Sequence, residues 1–410
     1  MSNSCPLTSR TNRGLSAFFF YSSVVCSAWA ADVDINVKFD PDANDRKFVI
    51  VSPSTGFCAD VPSICAGRNL HTAQVGVSFK ADYLYSQVNA VQLRIPEAKT
   101  FELRNSNNRL PVTLRITGVG SRYNIAPATV MGLTGAKTTR EGHEALWFGG
   151  SFLNPGAQSK CKSVYSGHLD MASLPSQYRY FWSGPPGASC GKTPKRGFSS
   201  FRNEFLDFSY ELDMPDPYMM PQGHYAGMVT YTANRGGDFD PGFVVQPVGA
   251  AEFSVMVTLE VWHSLRAVLL DGTKAVLEPK GGWQAWTDKG RPPTRLGRDL
   301  KFLQQASAPF TMKLSCQYSL IGSCALKSAE GDTVKVDTLV THAVGITNSA
   351  GTRVSREYLS PILPKKYFPG KEPFYGASFL HFEIPADRAA KMKSGTLYSG
   401  TITVLWDVAV

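Results

Sequence analysis

Apolar and polar residues alternate in run after run along this chain. Val33, Ile35, Val37 and Phe39 alternate with Asp34, Asn36 and Lys38. Phe253, Val255, Val257, Leu259 and Val261 do the same around Ser254, Thr258 and Glu260, and Ile402, Val404, Trp406, Val408 and Val410 repeat it at the end of the sequence. A period of two places alternate side chains on opposite faces of a strand. Helical spacing is rare; the best stretch, Ala386 to Lys393 between Pro385 and Gly395, is barely two turns. The 36 glycines and 26 prolines are scattered and punctuate short elements. The pattern predicts an all-β chain of two tandem immunoglobulin-like sandwiches, because many short strands need two sheets to bury their apolar faces.

The chain also resembles itself. Phe208 to Leu212, a proline-marked turn and Gly223-His-Tyr225-Ala-Gly227 match Leu380 to Ile384, a turn and Gly395 to Gly400 with its following strand. Two related domains would each close with this pair; alternatively, any two hairpins look alike. The polar, glycine-rich stretch Asn234 to Asp240 suggests a boundary between residues 31–245 and 246–410.

The first thirty residues read as a secretory signal. Arg10 and Arg13 precede the apolar stretch Leu15 to Val25, and Ala28-Trp29-Ala30 supplies small residues for cleavage. Removal of those two arginines takes the formal charge from +9 to +7. A membrane anchor is the rival reading, although the stretch is short for a bilayer. Cys5 and Cys26 would leave with the signal. The other six cysteines form three sequence-local couples, Cys58–Cys65, Cys161–Cys190 and Cys316–Cys324, the simplest pairing in an oxidising compartment. None has the spacing of a zinc site.

The last domain is one strand short. Its expected strands are Phe253 to Trp262, Leu265 to Leu270, Phe310 to Cys316, Val334 to Thr347, Phe379 to Ile384 and Thr401 to Val410, where seven would be wanted. If the first and last of these flank the gap, Phe253, Val255, Val257, Leu259 and Val261 with Ile402, Val404, Trp406, Val408 and Val410 line an apolar groove with unpaired edges. A strand from another chain would fill it. The same positions would equally suit a closed core.

Here the residues carry a resemblance. Leu212 to Pro217, Gly223 to Gly227, Gly236 to Asp240, Glu278 to Trp283 with Trp286, Met312 to Tyr318 and Tyr398 to Asp407 resemble the two-domain tip adhesins of bacterial chaperone/usher fimbriae. The likeness covers roughly residues 200–410 and hardly touches 31–130. It implies an N-terminal receptor domain and an incomplete pilin domain. A periplasmic chaperone would lend the missing strand, and an outer-membrane usher would exchange it for that of the adjacent pilin subunit. The protein would then stand at the cell surface, at the fimbrial tip. A shaft or initiation subunit is the alternative within that family, since Val33 to Phe39 has the alternation of a donor extension.

A ligand site is expected in the insertion Ala145 to Arg202. Trp147, Arg179, Tyr180 and Trp182 lead there, among further aromatics and lysines, because aromatic faces with charged neighbours suit glycans. The same aromatics would equally build a core. Enzyme motifs fail: Pro186 stands where a phosphate loop needs glycine and Pro194 blocks the helix behind it, His143-Glu144 lacks the second histidine of a zinc motif, and no GxSxG elbow occurs. Asp238-Phe-Asp240 is half a calcium loop, read as a turn. No catalytic residue, metal or cofactor is expected, nor nucleic acid without a recognised binding motif. A secreted carbohydrate-active enzyme remains the alternative, needing a carboxylate pair in a cleft.

Overall fold

A computed structural model describes residues 32–41, 47–85, 91–156, 159–164, 173–284, 288, 295–370 and 374–409. The signal segment and Val410 lie outside the described residues. Strands dominate, and the longest described helix is the eight-residue Thr139–Leu146. Two apolar cores form, one from Val33 to Val261 and one from Leu296 to Ile384.

The first core begins with β1 (Val33–Phe39), whose alternate residues are buried and exposed as its pattern dictates. It contains β2 (Lys99–Arg104), the sixteen-residue β3 (Arg109–Asn124), β4 (Gln177–Ser183), β5 (Leu206–Asp213), β6 (Gly223–Thr232) and β7 (Glu252–Val261). β3 pairs first with β2 and then, further along, with β4. Where it passes β4 it carries Gly118 and Gly120. A Cβ on Gly120 would sit 2.6 Å from the Tyr180 carbonyl and 2.5 Å from the Phe181 ring, so only glycine lets the strands approach.

The strand expected to open the last domain belongs instead to the first. β7 pairs antiparallel with β6 over ten residues, from Gly223↔Val261 to Thr232↔Glu252, and parallel with β1 from Val33↔Val255 to Phe39↔Val261. Both its edges are taken. Phe253 packs against the rings of Phe208, Tyr231 and Phe239. The cores therefore divide after Val261 rather than at residue 245. β1 is equally committed, buried with β7 on one side and Phe48–Ile50 on the other.

The second core lies between two sheets. One runs β8 (Leu265–Leu269), β9 (Arg295–Ala306), then β11 (Phe374–Pro385), Asp337–Thr341 and Glu357–Tyr358; β10 (Phe310–Cys316) belongs to the other. That other sheet runs Ile346–Asn348, Lys365–Pro369, β10 and β12 (Ile402–Val408). β9, absent from the expected strands, is central to its sheet and pairs with β11 along twelve residues. The expected helix at Ala386 shrinks to Ala386–Ala389.

The two halves of the expected repeat are β5 with β6 and β11 with β12. β5 pairs with β3 and β11 with β9, while β6 lies between β2, at Ala226↔Arg104, and β7, and β12 pairs with β10. Neither couple is a hairpin. Cys58–Cys65, Cys161–Cys190 and Cys316–Cys324 are each bonded, with Cα separations of 5.6, 5.5 and 5.3 Å.

Candidate functional site

The second core is open along one side. β12 pairs residue for residue with β10, from Phe310↔Val408 to Cys316↔Ile402. Phe310, Met312 and Leu314 on β10 are buried, but their neighbours Ile402, Val404, Trp406 and Val408 are only half-buried. Among the described strands, none pairs with the outer edge of β12. In the facing sheet β8 is likewise an edge, paired among the described strands with β9 alone, with Leu265 and Leu269 half-buried and Val268 exposed. Leu265, Leu269, Ile402, Val404 and Trp406 are all packed against the core without being enclosed by it. Two edge strands, β8 and β12, therefore bound this side of the core, and the half-buried apolar strip between them is termed the cleft; the outer edge of β12 carries backbone donors and acceptors that no described strand takes.

The repeat shows what that edge lacks. β6 occupies in the first core the place of β12 in the second, and its inward Tyr225 and Tyr231 are almost fully buried. β7 supplies the difference: it lies along β6 for ten residues and feeds five apolar side chains into the core. Phe253, Val255, Val257, Leu259 and Val261 thus do line a strand place, but the filled one of the first core; they are not contacts of the open cleft. Of the expected groove residues, Ile402, Val404, Trp406 and Val408 lie half-buried on the edge strand β12, and Val410 lies outside the described residues.

Polar atoms behind the cleft are unsatisfied. Trp406 Nε1, Tyr367 Oη, both side-chain polar atoms of Gln304 and both ring nitrogens of His342 are buried without a hydrogen-bond partner. His342 stands edge-on to Tyr367, 4.5 Å between centroids, and near Phe310. Burial among these rings pushes its imidazole down to about 3.

The expected ligand residues are core residues. Trp182 is 1% exposed, its Nε1 donating to the carbonyls of Phe152 and Leu153 at 3.1 and 3.0 Å. Trp147 Nε1 donates to Tyr123 Oη at 3.2 Å, and Tyr180 Oη to Asn203 Oδ1 at 3.2 Å. Arg179 is 5% exposed; its Nε donates to Asp60 at 2.9 Å and its guanidinium pairs with the fully buried Asp207. Burial raises the Asp207 carboxyl to about 6 against the pull of Arg179. β4 has both faces covered, so its five central residues are all buried. A near-continuous apolar run is the signature of such a strand; Tyr178 to Trp182 comes close to one, broken only by Arg179, whose charge is met inside by Asp207.

Asp238 is part of a turn: it accepts from Lys99 Nζ and from the Thr232 amide, both at 2.8 Å. No group of three or more His, Cys, Asp or Glu able to hold a metal occurs among the described residues. No described helix is long and apolar enough to cross a membrane. Sequence reasoning passed over Trp262, which is 49% exposed on the first unit's surface.

No family model and no curated protein matches this chain. Among solved structures, it aligns with the pre-assembly complex of the chaperone CsuC and the tip adhesion subunit CsuE from archaic chaperone-usher Csu pili of Acinetobacter baumannii. Identity is 10% and the TM-score 0.20, over 92% of this chain and 99% of that one. It also aligns with the CupB6 tip adhesin of Pseudomonas aeruginosa at 9% identity and a TM-score of 0.25, over 81% of this chain and 94% of that one. Superposition at these scores is too partial to bear on function, which is read from this chain's own geometry.

Proposed function

We propose that the cleft between β8 and β12 accepts a strand from another protein, and that the chain is a non-enzymatic tip adhesin of a fimbria. The observation that carries this is the contrast between β6, sealed by β7, and β12, which has the same place in the repeat but an unpaired outer edge and a half-open apolar face. Strand addition suits such an edge: main-chain hydrogen bonds give affinity, and alternate side chains entering the cleft give specificity. In this reading a periplasmic chaperone supplies the strand during export, an outer-membrane usher presides over its exchange, and the adjacent pilin subunit supplies its replacement. The first unit, complete in itself, is the receptor-binding part, spanning residues 31 to about 263.

The burial of β1 favours a tip position over a shaft one. A shaft subunit must offer its own extension to a neighbour, whereas Val33, Ile35, Val37 and Phe39 are enclosed in the first core.

The test is thermal unfolding of the full chain with and without a donor strand fused after Val410 through a flexible linker. The donor carries five alternating apolar residues. Closing the cleft buries four half-open side chains on β12 alone, worth about 1 kcal/mol each, so the second unit should melt markedly higher. An unchanged melt with the fused strand would contradict the reading.

A further inference from the structure

Along the strip that β8 and β9 present to the core, one position is polar and unpaired. Antiparallel register sets Leu265 of β8 opposite Ala306 of β9, Ala267 opposite Gln304, and Leu269 opposite Phe302. Residues directly opposite in such a pair share a face of the sheet. Phe302, Gln304 and Ala306 are fully buried, so Leu265, Ala267 and Leu269 all face the core. Leu265 and Leu269 are half-buried, whereas Ala267 between them is exposed. A core-facing alanine open to solvent marks a notch in the strip, and Gln304 is the next side chain inward from it.

A carboxamide carries N–H donors on its nitrogen and acceptor lone pairs on its oxygen. Neither polar atom of Gln304 has a hydrogen-bond partner among the described residues. The strands on each side give it none: Ala267 has only a methyl group, and opposite Gln304 on β11 stands Gly376, which has no side chain. Phe302 and Ala306, its inward neighbours along β9, are equally unable to pair with it. A buried amide left unserved is costly, and a leucine or methionine would fill the same space without that cost. A second unserved donor belongs to β12: Trp406 Nε1, whose ring meets that of Phe302 at 5.9 Å between centroids. This part of the strip therefore lacks hydrogen bonds that the described chain does not supply.

We propose that the strand filling the cleft carries an asparagine at the inward position over Ala267, and that Gln304 reads it. Gln304 turns toward the notch about its own side-chain bonds, and the two carboxamides exchange an N–H···O bond in each direction. A charged side chain is the wrong chemistry there, because the strip offers it no counter-charge. Apolar side chains suit the inward positions over Leu265 and Leu269. One polar step also fixes the register of the incoming strand, as a single buried asparagine does between paired helices: a slip of two residues sets the asparagine against a leucine and leaves Gln304 unserved. The inference rests on the reading of the cleft as a strand site and adds to it the chemistry of the strand.

The experiment measures binding of labelled donor peptides to the full chain by fluorescence anisotropy. One peptide has leucine at every inward position, and each of the others replaces a single one of these leucines by asparagine. One asparagine peptide should bind at least as tightly as the all-leucine peptide. It should also bind about tenfold more tightly than those with asparagine at the adjacent inward positions, where a buried amide goes unserved. Gln304→Leu should abolish that preference while the all-leucine peptide binds as well as before or better. Ala267→Leu, at an exposed position, should block the notch and abolish the preference too. The inference is overturned if every asparagine peptide binds more weakly than the all-leucine one, or if the preference survives Gln304→Leu. Binding of the all-leucine peptide would then leave the strand site itself standing; if none of the peptides binds, the strand site and the inference fall together.

Discussion

At the residue scale, the side chains that look most like a binding site are those doing the packing. Trp147, Tyr180 and Trp182 spend their polar atoms on interior partners. Truncating such a side chain costs about 3–5 kcal/mol. Trp182→Ala should lower the melting temperature of the first unit sharply, and ligand binding should fall only in proportion to the unfolded fraction; a selective loss of binding by a folded variant would contradict this. His342 makes a prediction about pH. Its folded-state pKa lies near 3, below its ordinary value of 6.5, so the unfolded chain takes up the proton first. The associated stability is fully present above pH 6.5 and is lost as pH falls from there toward 3, roughly 2 kcal/mol of it by pH 5. His342→Phe should flatten the acid limb of the second unit's stability curve, measured by denaturant titration at pH 7 and pH 5.

At the scale of elements, alternation located β1, β7, β10 and β12 from the sequence because each has one face buried and one exposed. It could not tell which sheet a strand joins, and this is why β7 was expected in the wrong unit: a period of two describes a strand's faces, not the partners at its edges. β9 escaped notice for a different reason. Its inward positions include Gln304, and Gly297, Arg298 and Asp299 interrupt its apolar series. β4 misled in the opposite direction, its aromatic run reading as a ligand surface when it is buried on both faces. The signal segment's role, read from composition, lies outside the described residues. The different fates of β7 and β12 are testable by substitution. Val257→Asp places an unpaired charge inside the closed first core and should unfold that unit, at a cost of several kcal/mol. Val404→Asp faces the open cleft; it should leave the first unit's melt unchanged and abolish the gain from a fused donor strand. Circular dichroism melts of the two variants decide the matter, and equal damage to the first unit from both would contradict it.

At the scale of the whole molecule, the proposed function requires that residues 32–263 complete their own fold and that residues 264–409 take a strand from another protein. The link is short: His263 Nε2 donates to the Met220 carbonyl at 2.8 Å, and the Ser264 amide donates to Ser307 Oγ at 2.9 Å. A chain with one sealed and one open core should unfold in two steps, the open unit first, and strand binding should bring the steps together by stabilising only the second. The most direct measurement of this claim is amide hydrogen exchange along Ile402 to Val408, in the full chain alone and with a synthetic donor peptide of alternating apolar residues. In the chain alone, the alternate amides facing away from β10 should exchange quickly while those bonded to β10 are protected, and the peptide should protect the fast set too. If every amide from Ile402 to Val408 is already slow in the chain alone, and the peptide changes none of them, the cleft is closed and the account is wrong.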